Sequence, residues 1–501
     1  MLKAAGEAWS RRKFAEAIEL EERASRLDPA NYSLLLNLGK HYGLRYDNAA
    51  AERCFEKAAR IAPNKAEALA SAGVHAADFG NYEMSERYFL RALAEKNAVP
   101  KMFEQLARVY ERQRRMSEAA GMVDRALHLN PHCPEALLAR ARLERQAGRI
   151  EDAEQTLRSF VTQPNPDTSV YAQAWYELGQ VLDRQGRYDE AMAAFAPAKT
   201  RMLSQSGRYL HELKVVRQRL KLMQANLTAE TFQRWFDVLP SLPPPRRIAL
   251  LGGHPRSGTT LLEQVLDSHP DLTSLEETTV FHDDALSPLL QRMPDETLML
   301  SCLEAAPVEV LQQSRANYFR SAELFQGEPL GGRLLIDKNP SLTFLIPPLL
   351  RIFPEIKLLI ALRDPRDVVL SIFMQPLPFS QGGSAFLTLS GTVDEYVAMM
   401  SLWQTLKSMI EGHYLEVRYE DMVEDLETVA RKSLDFLGVP WDAKVLGFDE
   451  HARKKLVRSP TYADVTQPVY KRAVGRWQHY QKYLEPHLAK LEPFVKAFGY
   501  E

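Results

Sequence analysis

The 501-residue sequence has only three cysteines, Cys54, Cys133 and Cys302, too far apart to share a metal or build a disulfide framework. Their scarcity excludes a disulfide-stapled fold and a thiolate metal centre, and free thiols fit a reducing, cytoplasmic compartment. An excess of one charge is also missing: 65 acidic and 63 basic residues leave a formal net charge of −2. No global field draws such a chain to nucleic acid or to an anionic membrane, so any basic site must be local. No window approaches the roughly 18 apolar residues of a membrane span, and the N-terminal residues lack the apolar core of a signal peptide. The chain is too long for one core, and its length predicts two to four domains.

Repetition organises the first two hundred residues. Pro29 and Pro63 lie one period apart, Asn97 fills the next slot and Pro131 the one after, giving a period of 34. A small residue recurs at the same step, as Gly39, Gly73, Ala107 and Ala141, with aromatics three places later at Tyr42 and Tyr110. A second helix in each unit reads small-aromatic-small, as Ala51, Phe55, Ala58, then Ser85, Phe89, Ala92, and more loosely Ala119, Val123, Ala126. Gly179, Ala191, Phe195 and Ala198 mark a sixth unit, displaced by an insertion at Gln163–Ser169. This register resembles tetratricopeptide repeats over residues 1–200. The resemblance implies helical hairpins that share one core and curve into an all-α superhelix. Small and aromatic residues are then packing elements, and a concave face binds a protein or peptide, either a partner or an acceptor.

Residues 201–245 read as a helical, proline-rich connector. Leu210, Leu213, Val216 and Leu220 are spaced for one buried stripe, and Pro243, Pro244 and Pro245 end the helical pattern. Residues 246–501 alternate short apolar runs with helical stretches, which predicts an α/β domain with a mostly parallel sheet. Three strands are legible, Ile248–Gly252, Leu334–Ile336 and Ile356–Leu362, each followed at once by polar residues. In open parallel sheets ligands bind beyond the carboxyl ends of the strands. Arg256–Thr260, Asp337-Lys338-Asn339 and Arg363-Asp364-Pro365-Arg366 are therefore expected to converge.

The first of these segments is the most informative. Gly253–Thr260 reads Gly-His-Pro-Arg-Ser-Gly-Thr-Thr directly after an apolar strand and before a helical run, Leu261, Leu262, Val265, Leu266. Such a turn aims backbone N–H groups and a helix N-terminus at one anion, so Arg256, Ser257, Gly258, Thr259 and Thr260 form a P-loop-like phosphate cradle. A nucleoside-triphosphate loop would carry lysine where Thr259 stands.

These segments together resemble sulfotransferases that use 3′-phosphoadenosine 5′-phosphosulfate, and among them protein-tyrosine sulfotransferases, over about residues 246–485. The resemblance implies that Pro255–Thr260 binds the 5′-phosphosulfate, and that Arg363 and Ser371 hold the 3′-phosphate. It implies that Glu277, second of a Glu-Glu pair after His269-Pro270, is the catalytic base, and that Lys338, in Lys338–Pro340, assists the leaving phosphate. Tyr419, in Val-Arg-Tyr-Glu-Asp-Met, would lie near the nucleotide, and Ser459–Tyr480, with Thr461, Arg472, Gly475 and Arg476, would close over it. Where the tyrosine enzymes carry a serine near the reacting sulfate, this sequence offers Thr461 or Tyr462.

The chemistry asks for the same residue types. Sulfuryl transfer leaves added charge on the nucleotide 5′-phosphate, so cations such as Lys338 and Arg256 must face that oxygen. The acceptor hydroxyl must lose a proton, which a positioned carboxylate such as Glu277 can take. The expected reaction is sulfuryl transfer to a hydroxyl, most simply a protein tyrosine, with carbohydrate or another acceptor as the alternative and no metal required. Other readings stay open on residues alone. Asp337 suits a magnesium-binding acid of a P-loop kinase or nucleoside triphosphatase, and a non-catalytic repeat scaffold is a third reading. Glu276 and Glu277 also fit a solvated acidic pair, and Arg363 an ion pair with Asp364 or Asp367. Ser371 fits a helix begun by Asp364 and Pro365, Tyr419 a core position and His254 a loop filler. Phe379–Thr392, rich in glycine and serine, reads as a mobile loop beside the acceptor.

Overall fold

The computed structural model describes residues 1–95, 99–162, 168–291, 298–378, 380–454, 466 and 473–501. The chain divides into two compact units, Met1–Ala198 and Lys199–Glu501. Its three cysteines are free thiols, and among the described residues no helix is long and apolar enough to cross a membrane.

The first unit is built of helical hairpins. Leu2–Ser10 pairs with Phe14–Leu27, Tyr32–Leu44 with Asn48–Ile61, Lys65–Asp78 with Tyr82–Ala94, Pro100–Arg112 with Met116–Leu129, and Pro134–Gln146 with Ile150–Val161; Thr168–Arg184 meets Tyr188–Leu203 where Gly179 faces Phe195. The periodic small residues do what their spacing predicts. A Cβ on Gly39 would stand 2.5 Å from Phe55, and one on Gly179 would stand 2.4 Å from Phe195. These rings are fully buried, so the first helix of the hairpin is close-packed on the aromatic residue of the second. At Ser85 the small side chain also donates a hydrogen bond to the Gly73 carbonyl, 2.7 Å away.

The second unit carries one sheet of five parallel strands in the order β2-β3-β1-β4-β5. They are β1 (Ile248–Gly253), β2 (Leu272–Glu276), β3 (Leu334–Lys338), β4 (Lys357–Leu362) and β5 (Tyr414–Arg418). Central strands covered on both faces must be apolar throughout, and β1 and β4 are near-continuous runs of Ile, Leu and Ala for that reason. On one face Ala249, Leu251, Ile336, Leu359 and Ala361 pack against Leu262, Val265 and Leu266 of the helix Thr259–Asp267 and against Val429, Ala430 and Leu434 of the helix Leu426–Leu437. Elsewhere in this unit Tyr318, Phe319 and Phe353 form an aromatic cluster with ring centroids 5.0–5.7 Å apart.

Two strands escaped the sequence reading, and two expectations need correction. The strands β2 and β5 read Leu-Thr-Ser-Leu-Glu and Tyr-Leu-Glu-Val-Arg; as edge strands they carry polar residues and lack the apolar run that marks a central strand. The helix Gly207–Asn226 does not bury the predicted stripe, because Leu210 and Val216 are exposed. Leu213 does pack, against Ile372, Ala385 and Phe386, but polar contacts complete the seat: Arg217 Nε donates to Glu395 at 2.8 Å and Gln224 to Thr405 at 2.9 Å. Nor is residues 379–392 an open loop. Gln381–Ser384 is a helical turn, Ala385, Phe386 and Leu387 are buried, and Thr388 caps the helix Leu389–Lys407; Phe379 lies outside the described residues.

The close helix approach generates a prediction. Gly179→Val is expected to destabilise by at least about 1–3 kcal/mol through overpacking against Phe195. Gly121→Ala, with nothing within 4 Å of its new Cβ inside the helix Met116–Leu129, is expected to stabilise by about 0.5–1 kcal/mol. Thermal unfolding of both variants checks this, and shifts of the same sign would refute the packing account.

Candidate active site

The loop after β1 is held in a strained shape. Gly253, at φ +120°, stands where a Cβ would lie 2.3 Å from the Ala361 carbonyl oxygen, so only glycine fits. Its N–H donates to Thr343 Oγ1 at 2.8 Å, and that hydroxyl donates back to the Gly253 carbonyl at 3.0 Å. His254 is fully buried; its Nδ1 donates to the Pro255 carbonyl at 2.8 Å, and its Nε2 has no hydrogen-bond partner. Burial pushes its pKa down to about 4 against a smaller raising effect of the Pro255 contact, which keeps the imidazole neutral near pH 7. Arg256 follows at φ +77°, Ser257 is buried, and Gly258 at φ +91° is the N-cap of the helix Thr259–Asp267. No side chain caps this helix, and its first buried residues are Thr259 and Thr260. An uncapped helix start directs N–H groups at whatever anion enters the turn.

On the β4 side the loop meets the predicted pair, Arg363 and Ser371. Arg256 Nε donates to Ser371 Oγ at 3.1 Å, and Arg363 Nη1 donates to the Arg256 carbonyl at 3.3 Å. Arg363 also donates to the Ala473 carbonyl, lies 3.7 Å from Asp367 and stands over the Tyr419 ring at 4.9 Å, while its buried Nε has no partner. That unmatched donor suits an incoming anion. Tyr419 is both a core residue and a floor: a Cβ on Gly258 would stand 2.6 Å from its ring. Asp367 is occupied by the N–H groups of Gly475 and Trp477, at 2.8 Å each, which pins the C-terminal turn beside the helix Pro365–Phe373. Arg476 lies on that turn with Nη2 3.4 Å from Met374 Sδ, one turn past Ser371. Thr461, with Tyr462 and Arg472, lies outside the described residues.

On the β3 side stands the carboxylate group. Lys338 closes β3, pairs in register with Glu276 of β2 and Leu251 of β1, and is fully buried. Its Nζ is 2.9 Å from Glu277 Oε1 and 3.3 Å from Glu263 Oε2. Burial alone would lower its pKa, but Glu263, Glu277 and Glu276 together outweigh that and hold it above the ordinary lysine value. Glu277 follows β2 at φ +50°, with its N–H on the Lys338 carbonyl at 2.8 Å and its side chain 42% exposed. In the described part of this unit Arg256 and Glu277 are the non-glycine residues with positive φ. Each such residue stores roughly 1–3 kcal/mol and persists where its surroundings over-determine it. Neighbouring strands are about 4.8 Å apart, so Lys338 and Arg363 face the loop from sides about 10 Å apart.

Not every predicted residue converges. Asp337 and Lys338 are the last residues of β3 rather than the loop beyond it, so alternation sends their side chains to opposite faces. Asp337 is buried against Tyr318, whose hydroxyl donates to it at 2.9 Å, and burial raises its pKa to about 7 in spite of Tyr318 and Lys338. Asp364 caps its helix through the Arg366 N–H, and Arg366 turns to Asp364 and to the Tyr500 carbonyl. Three residues escaped the sequence reading: Glu263, Thr343 and Ser274, whose Oγ donates to Glu263 Oε1 at 2.8 Å. None of the three left a signal, since Glu263 shares its helix face with Thr259, Thr260 and Asp267 and reads as one more polar residue.

Comparison with known proteins agrees with this architecture. Residues 249–443 match the sulfotransferase family, and residues 104–168 and 165–201 match the tetratricopeptide repeat. An uncharacterised protein of Aquifex aeolicus (strain VF5) is 26% identical over 375 residues, 72% of this chain and 47% of its own; the chain thus spans about half the length of that relative. Protein-tyrosine sulfotransferase 1 of Danio rerio is 29% identical over 276 residues, 51% of this chain and 72% of its own. A solved sulfotransferase domain, from the Synechococcus PCC 7002 olefin synthase, is 24% identical, covers 47% of this chain and 88% of its own, and gives a TM-score of 0.34. The chain therefore carries tetratricopeptide repeats followed by a sulfotransferase-family domain.

Proposed function

We propose that the second unit transfers a sulfuryl group from 3′-phosphoadenosine 5′-phosphosulfate to a hydroxyl acceptor, protein tyrosine first, and that the repeat array recruits a protein partner or the acceptor. The observation that carries this reading is the Lys338–Glu277 contact at the strand ends, beside an uncapped loop that meets Arg363 and Ser371. The donor's 5′-phosphosulfate takes the Arg256–Thr260 turn, and its 3′-phosphate takes Arg363 and Ser371. Family resemblance assigns Tyr419, Arg476 and Thr461 to the same nucleotide. In an in-line displacement the acceptor oxygen bonds to sulfur, its proton passes to Glu277, and the bond from sulfur to the phosphate oxygen breaks. Lys338 and Arg256 take up the charge left on that oxygen.

Magnitudes favour these roles. A phenol with a pKa near 10 stays neutral at physiological pH, and a positioned base contributes typically about a 100- to 10,000-fold gain. A donor aimed at developing charge is worth about 3–4 kcal/mol. The reading as a magnesium-dependent phosphoryl transferase loses its main support, since Asp337 is engaged by Tyr318 on the far face of the sheet.

Two experiments test the proposal. Labelled donor offered to tyrosine peptides, polysaccharides and small phenols is expected to label a hydroxyl acceptor, with Glu277→Ala lowering kcat about 100- to 10,000-fold while nucleotide affinity persists. Absence of transfer to every acceptor class, or full activity in Glu277→Ala, would end the reading. Arg363→Gln is expected to cut the preference for 3′-phosphoadenosine 5′-phosphate over adenosine 5′-phosphate about 10- to 100-fold. An unchanged ratio of dissociation constants would remove Arg363 from the 3′-phosphate.

A further inference from the structure

Glu263 raises a question that the roles of Glu277 and Lys338 leave unanswered. It is fully buried on the helix that starts at the anion turn, one turn past Thr259, and its carboxylate faces a fully buried ammonium. Its placement is fixed from two sides. The helix Thr259–Asp267 packs by Leu262, Val265 and Leu266 into the core, and Ser274 of β2 clamps the carboxylate by its Oγ at 2.8 Å. Ser274 is itself held, because its N–H donates to Asp267 Oδ1 at 2.8 Å, and Asp267 Oδ2 is 2.9 Å from His451 Nε2. The 3.3 Å separation of Glu263 from Lys338 is an ion pair rather than an aligned hydrogen bond, whereas Glu277 makes the shorter contact from an exposed side chain.

The two carboxylates therefore differ in kind. Glu277 is at the rim, where it can take a proton, and once protonated it no longer balances Lys338. Glu263 is locked in the interior, fully buried beside the ammonium. Resting on the sulfuryl-transfer reading, we propose that Glu263 is a positioning residue, a buried counter-ion that holds Lys338 in place while its contact with Glu277 is exchanged for the anion in the loop. A buried ammonium left with one partner that must be neutralised would lose its charge or its position. With Glu263 present, Lys338 stays cationic as the acceptor proton moves to Glu277. The raised pKa of Lys338 accords with this arrangement.

The test compares Glu263→Gln, which keeps the shape and the Ser274 contact, with Glu263→Asp, which restores the charge. Glu263→Gln is expected to lower kcat at least tenfold with little change in the donor KM, and to add a descending alkaline limb to the pH profile, as burial then favours neutral Lys338. Glu263→Asp should recover the wild-type profile in part. Stability gives a readout independent of turnover. In the wild type the raised Lys338 contributes stability that is complete below the unfolded lysine pKa and lost only as pH rises through the still higher folded value. In Glu263→Gln the folded value falls, so the Tm deficit relative to wild type should be largest near pH 7 and shrink toward pH 10. A Tm deficit equal at every pH, or a wild-type pH profile in Glu263→Gln, would overturn the counter-ion role. Failure of the wild-type protein to transfer sulfate would instead strike the function, and the pH dependence of the Tm deficit would still decide the role of Glu263.

Discussion

A buried ammonium shared by two carboxylates is the constraint on which the arrangement of this site depends. Lys338 ends a central strand with no exposure to solvent, where an uncompensated charge would cost on the order of several kcal/mol. Glu263 from the helix after β1 and Glu277 from the turn after β2 supply the compensation, so one side chain ties three elements together. The parallel order β2-β3-β1 makes this possible, because it sets the ends of these strands side by side. Lys338 thereby stands in register with Leu251, on the strand that leads into the glycine turn, without a loop of its own.

The turn obeys a second constraint, close backbone approach. A Cβ at Gly253 would run into the Ala361 carbonyl of β4 and one at Gly258 into the Tyr419 ring, so the loop is pressed between two neighbouring elements. Thr343 closes both backbone groups of Gly253, and Arg363 anchors the Arg256 carbonyl. In the described part of this unit the non-glycine residues with positive φ are Arg256 and Glu277, one on each side of the reaction proposed here. Rigid surroundings hold both, which is the condition for groups that must meet a charged ligand without rearranging.

Much of this was legible in the sequence, for identifiable reasons. The 34-residue register worked because Gly39 and Gly179 answer to single contacts, with Phe55 and Phe195, inside one hairpin. The glycine turn after β1 was legible because glycine positions and a following helix are local features. What escaped depended on partners far along the chain. The direction of Asp337 hangs on β3 running two residues further than its apolar part, and only then does alternation turn it to Tyr318. Glu263 reads as an ordinary helical glutamate until Lys338 and Ser274 arrive from other strands. The stripe on Gly207–Asn226 failed because Arg217 and Gln224, not Val216, meet the neighbouring helix.

The central claim is that the loop and its flanking cations accept a 3′-phosphorylated adenine nucleotide without help from a divalent ion. Calorimetric titration with 3′-phosphoadenosine 5′-phosphate and with ATP, each with and without magnesium, tests it most directly. The account predicts tighter binding of the 3′-phosphorylated nucleotide, unchanged by magnesium. Tighter, magnesium-dependent binding of ATP would contradict it.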